Sequence, residues 1–150
     1  MSLVNEIGPG LDGLAQLRAL IASGRRPGIA VSLQFALVEV ERGRAVFAGT
    51  PGDHAYNPIG MVHGGYAATL LDSALGCAVH SCLSATQSYT TLELKVAYHK
   101  PITRETGPLR AEGRIITVGR RAAFAEGTLK DEQGRLYATA TSTLLVIDQS

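Results

Sequence analysis

Residues 57–82, NPIGMVHGGYAATLLDSALGCAVHSC, constrain the fold more than any other stretch of the chain. A loop with Pro58 and Gly60 leads into a His63-Gly64-Gly65 turn, and a long apolar segment follows. Its apolar residues fall at 66, 67, 70, 71, 74, 75, 78, 79 and 82. That spacing predicts a helix that is apolar around most of its circumference, so other structure must wrap it. Asp72 interrupts the segment. Ionised carboxylates are seldom buried without partners, so an acid in the middle of such a helix calls for a specific role.

What surrounds this helix is read from the rest of the chain. Residues 11–23 place Leu11, Leu14, Leu17, Leu20 and Ile21 on one face of a short amphipathic helix that stops at Gly24. Residues 29–41 read as a strand, and Arg42-Gly43-Arg44 turns it into a second one at 45–50. Beyond the central helix the period becomes two. At 91–98, Leu92, Leu94, Val96 and Tyr98 share a covered face, and Thr91, Glu93 and Lys95 share a wetter one. Residues 109–118, 122–130 and 136–147 read as three further strands.

One long apolar helix against an antiparallel sheet of about six strands buries both apolar faces in two layers, and strand twist curls the sheet around the helix. Small residues at 111, 113, 123, 125, 127, 138 and 140 let the concave face come close. The class is α+β, in the arrangement called the hotdog fold, with residues 1–28 as an N-terminal helical segment and 29–150 as the hotdog domain.

Composition narrows the partners. The 150 residues carry 14 Lys+Arg against 13 Asp+Glu, a formal charge of +1, which offers no broad footprint for nucleic acid or anionic membrane. No apolar run reaches the 18 or so residues that span a bilayer, and the first ten residues lack the features of a secretion signal. Cys77 and Cys82, five apart on one helix, point in different directions and read as reduced thiols of a cytoplasmic protein.

The central stretch can do chemistry. The first N–H groups of a helix have no intrahelical partner, and side-chain-free Gly64 and Gly65 leave them open to hold a carbonyl oxygen as it becomes an oxyanion. The same glycines equally serve a tight turn. Asp72 lies eight residues beyond Gly64, roughly 12 Å along the axis. If both act on one substrate they must come from two subunits about a two-fold axis. Asn57 can fold back over the helix start, and His63 can donate to substrate or fix the loop. His54, His63, His80 and His99 form no metal-ligand spacing with one another or with the cysteines, so no metal site is expected.

The pattern Asn57, Gly60, His63-Gly64-Gly65, Leu71-Asp72 and Gly76, with Tyr98 and Pro101 downstream, resembles the hotdog-fold acyl-CoA thioesterases over about residues 30–147. Within them it is most similar to the phenylacetate-degradation (PaaI-like) branch related to 4-hydroxybenzoyl-CoA thioesterases. The resemblance implies hydrolysis of a thioester to a free acid and coenzyme A, with no metal or prosthetic group. Gly64 would polarise the carbonyl through its N–H. Asp72 of the partner subunit would be general base or nucleophile, with Asn57 orienting water or thioester and His63 supporting the loop. Thr91, or its neighbour Thr90, would position the water. Gly60 and Gly65 would border the substrate, and Arg120 and Arg121 would meet the coenzyme A phosphates, with Lys100 and Arg104 as other cations. The family implies a homo-oligomer, a dimer or a dimer of dimers.

Two other readings share the fold. Enoyl-thioester hydration is echoed by Gly52-Asp53 and Asn57-Pro58, but the spacing is two residues too long, and Gly60 and Cys77 stand where histidines would be needed. A non-catalytic acyl-CoA-binding module would carry an appended domain, for which the short N-terminal segment leaves little chain.

Overall fold

A computed structural model describes residues 2–149. Three short helices come first: α1 (Leu3–Ile7), α2 (Gly13–Ser23) and α3 (Gly28–Leu33). Strands β1 (Phe35–Glu41) and β2 (Arg44–Gly49), a single 3-10 turn at Asp53–Ala55, and the long helix α4 (Gly64–His80) follow. The chain then runs through β3 (Gln87–Tyr98), β4 (Leu109–Val118), β5 (Ala122–Asp131) and β6 (Leu136–Asp148). All pairings are antiparallel, in the order β1-β2-β4-β5-β6-β3. This is the expected hotdog architecture: one sheet of six strands curled around one central helix.

The small residues of the sheet allow the close approach their pattern predicted. A Cβ on Gly113 would lie 2.4 Å from the Ala74 carbonyl oxygen, and one on Gly127 would lie 2.5 Å from Leu75 Cδ1. Ala111, Ala123, Ala125 and Ala138 are fully buried beside them, and Leu70, Leu71, Ala74, Leu75 and Val79 of α4 fill the core. One stripe of α4 escapes the wrapping. Gly65 is exposed, and Ala68, Thr69, Asp72 and Ser73, spaced three or four apart, are only half-buried.

Two expectations are corrected. Residues 28–33 are helical, where a strand was expected from 29. Pro27 precedes the helix in extended conformation, and Gln34 ends it in the left-handed region at φ 58°. A short, mostly apolar run of this length fits either state, and the flanking backbone decides.

The second correction concerns β3. Its register against β6 slips between Thr91 and Glu93, a β-bulge that gives the strand one extra residue. The inward phase therefore changes from 89 and 91 before the bulge to 94, 96 and 98 after it. Leu92, expected on the covered face, is 58% exposed, and Thr91, expected on the wet face, turns toward α4.

Candidate active site

The first half of the site is the start of α4. His63 is the N-cap, in extended conformation (φ −61°, ψ 134°), and its Nδ1 accepts the Gly65 N–H at 2.7 Å. The loop before it is tied from several sides. Asn57 Oδ1 accepts the N–H groups of Ile59 (3.1 Å) and Met61 (3.0 Å), and the Gly60 N–H closes a turn on the Asn57 carbonyl with Gly60 at φ +83°. His63 donates its backbone N–H to the Ala55 carbonyl at 2.8 Å. These bonds leave two donors open: among the described residues, neither the Gly64 N–H nor the Asn57 side-chain amide has a partner.

Both face a cleft of about 310 Å³ walled by Asn57, Ile59, Met61, Gly64, Tyr98 and Lys100. The Tyr98 hydroxyl donates to the Gly64 carbonyl in a short hydrogen bond. A Cβ on Gly64 would lie 3.1 Å from that oxygen, so Tyr98 explains why residue 64 is glycine. A helix N-terminus adds partial positive charge to an open N–H, which suits a carbonyl oxygen that gains charge during reaction.

The second half lies two turns along α4. Asp72 Oδ1 accepts the Thr91 hydroxyl at 3.0 Å, and Oδ2 has no partner among the described residues. The bulge in β3 makes this bond possible. Tyr89, two residues earlier on the same face of the strand, packs on the helix at Gly76, where a Cβ would lie 2.5 Å from its hydroxyl oxygen. Burial pushes the Cys77 thiol up to about 12, with the Asp72 charge adding to it, so Cys77 stays a thiol. Burial, then Cys77 and Asp72, likewise hold the Tyr89 proton.

The candidate residues thus fall into two groups. Asn57, Gly60, His63, Gly64 and Gly65 assemble at the helix start, and Asp72 and Thr91 assemble about 12 Å along the axis. Arg120 and Arg121 lie on the β4–β5 turn, next to the row formed by Ala122, Leu145 and Thr90. Tyr98, which touches Gly64, is eight residues further along β3, about 26 Å away. Within one chain these arginines are therefore remote from Gly64. Sequence reasoning missed Tyr89, although the glycine inside the helix at 76 was a sign of a close neighbour.

Residues 59–138 match the model of the thioesterase superfamily, and the chain belongs to that family of thioester hydrolases. It is 30% identical over 84 residues to the proofreading thioesterase EntH of Klebsiella pneumoniae, covering 56% of this chain and 60% of that one. Across four of the curated relatives it matches, the chain spans 44–80% of their length. Among solved structures, a phenylacetic acid degradation-related protein of Ralstonia eutropha superposes with a TM-score of 0.76 at 27% identity, over 86% of this chain and 98% of that one. A Streptococcus mutans protein bound to acetyl CoA superposes with a TM-score of 0.69 at 28% identity, over 77% of this chain and 90% of that one.

Proposed function

We propose that this protein is an acyl-CoA thioesterase whose active site forms between two copies of the chain. One observation carries the reading: an open N–H at the start of α4 and a half-buried acid on the same helix, too far apart to act on one carbonyl unless a second copy supplies one of them. The half-exposed stripe from Gly65 to Ser73 is where the partner's helix would run antiparallel, placing each Asp72 near the other Gly64.

In this arrangement the Gly64 N–H holds the thioester carbonyl oxygen. Asp72, oriented by Thr91, takes a proton from water or attacks the carbon itself. On the water route, oxygen adds to the carbonyl carbon and the oxyanion rests on Gly64. The C–S bond then breaks, the sulfur leaves with the electron pair and takes the proton from Asp72, and free acid and coenzyme A result. Asn57 presents its open amide to water or thioester, and His63 holds the loop. Gly60 and Gly65 border the thioester.

Coenzyme A as the carrier is supported by the acetyl CoA-bound neighbour, and placement in the PaaI-like branch by the likeness to the phenylacetic acid degradation-related protein. Arg120 and Arg121, remote from their own Gly64, lie at the end of the sheet where a partner's Gly64 would come, and there they would meet the coenzyme A phosphates. A cytoplasmic location fits two free cysteines. Among the described residues, no helix is long and apolar enough to cross a membrane.

Thiol release from acyl-CoAs tests the reading. Asp72→Asn should lower kcat by at least 100-fold with little change in stability. Gly64→Pro removes the donor at a position where proline suits a helix, and an extended residue such as His63 tolerates a following proline. It should cost about 10²–10³ in kcat. Mixed and reassembled, the two inactive variants should recover about a quarter of wild-type activity, because half the dimers hold one intact site. No recovery, or full activity in either variant, would refute the shared site. Binding of acyl-CoA without thiol release would make the protein a sensor.

A further inference from the structure

A second cavity, of about 500 Å³, lies on the other side of the Asp72 region. Its roof comes from α1, α2 and α3 through Leu3, Leu17, Leu20, Ile21 and Ala30. One wall is β1 and β2, through Leu37 and Phe47, and the far wall is Cys77 and His80 of α4 with Tyr89 of β3. This trough thus runs from one edge strand of the sheet, β1, to the other, β3, across the back of α4.

Its position ties it to the acid. Cys77 and Tyr89 line the cavity; burial chiefly holds their protons, and the nearby Asp72 charge adds to it. Thr91, which bonds Asp72, is two residues from Tyr89 on the same face of β3. Cys77 and Tyr89 therefore stand where the reacting centre meets the trough. Among the described residues, no charged side chain lines the trough at that wall. His80 is held neutral by burial and is engaged by Gln16 at 2.9 Å. The cations Arg25 and Arg26 stand on the opposite rim, one paired with Glu6 and the other donating to the Phe35 carbonyl. A largely apolar cavity beside the acid, lined mostly by aliphatic side chains of the N-terminal helices and β1, suits an apolar chain.

We infer that this trough takes the acyl chain of the substrate, and that the protein prefers thioesters of medium- and long-chain aliphatic acids over acetyl and aryl thioesters. The inference rests on the thioesterase reading above. In this account the chain passes Tyr89 and Cys77 from the carbonyl and lies under α2 and α3.

Turnover of acetyl-, octanoyl-, dodecanoyl- and phenylacetyl-CoA tests it. Dodecanoyl-CoA should exceed both acetyl- and phenylacetyl-CoA in kcat/KM by at least tenfold. Leu20→Trp in the roof and Cys77→Phe at the inner wall should each reduce the dodecanoyl-to-acetyl ratio at least tenfold. A ratio unmoved in both variants, or a wild-type preference for acetyl- or phenylacetyl-CoA, overturns the assignment and leaves hydrolysis standing. A binding measurement separates the two claims. The chain has no tryptophan, so Leu3→Trp places a single fluorophore at the rim. Its emission should shift to the blue and saturate with free dodecanoate. Saturation in a protein inert toward every thioester would keep the trough as a fatty-acid site and end the hydrolysis reading; no shift with dodecanoate would end the trough's role.

Discussion

The two ends of α4 are built on opposite plans. The last turn is sealed. The Gly43 N–H donates to Ser81 Oγ at 2.7 Å, and that hydroxyl donates to the Ala78 carbonyl. His80 meets Gln16, and the Gly13 N–H of α2 donates to the Leu83 carbonyl at 2.9 Å. The first turn is held by its loop but leaves the Gly64 N–H open, and the Tyr66 hydroxyl is buried without a partner among the described residues. The buried Tyr66 hydroxyl costs stability, whereas the Gly64 N–H lies at the surface of the cleft. The sealed end fixes the helix in the sheet, and the open end is available to a ligand.

Substitutions can break this contrast. The largest effect is expected at the sealed end. A Cβ on Gly13 would lie 1.8 Å from the His80 carbonyl oxygen and 2.9 Å from its carbon, both backbone atoms that cannot step aside. Gly13→Ala should destabilise the protein by about 3 kcal/mol, at the upper end for overpacking, as read by urea unfolding. The matching change at the open end, Gly64→Ala, keeps the N–H and meets only the Tyr98 side chain. The Cβ would lie 3.1 Å from the hydroxyl oxygen and 3.3 Å from the carbon that bears it, and that ring can shift by the little required. Stability should hardly move. Turnover should fall about tenfold, equivalent to about 1.4 kcal/mol, because the displaced Tyr98 no longer holds the Gly64 carbonyl. A Gly64→Ala protein that lost stability instead would show that the open end is structural.

The pH dependence of folding sharpens the same contrast. Burial lowers the pKa of His80, so the unfolded chain binds a proton there that the folded protein refuses. Stability should be insensitive to this group above about pH 6.5 and should fall below it. The loss from this one group is at most about 1.4 kcal/mol per pH unit, and it ends once pH drops below the folded value. His80→Gln should flatten that slope in melting temperature measured between pH 7 and 5. The smallest effect is a gain. Tyr66→Phe removes the orphan hydroxyl and should stabilise the fold by about 1 kcal/mol in urea unfolding.

How much of this was legible in the sequence depends on how local each determinant is. The strands from 109 and 122 begin where alternation placed them, because one face is core and the other is not. The tight packing at Gly113 and Gly127 followed from the small residues themselves. The separation of Gly64 and Asp72 needed only the helix rise. Residues 28–33 were misread because their state is set by Pro27 and Gln34 at the flanks rather than by their own pattern. The bulge in β3 was invisible because its cause is the pairing with β6, whose partners there, Leu144 for Thr91 and Thr143 for Glu93, are far along the chain. With it, the partnership of Thr91 with Asp72 and the position of Tyr89 were also beyond what alternation could give.

That extra residue makes β3 two short strands spliced out of step, each tuned to a different part of the helix. Residues before Leu92 answer to the acid, and residues after it answer to the helix start. Deleting Leu92 would remove the slip and leave one unbroken alternation, with Tyr89, Thr91, Leu94 and Val96 all on the inner face, so that the acid and the helix start would be served by a single regular strand. A family alignment that slides by one position here would therefore assign the acid's hydroxyl partner to the wrong threonine.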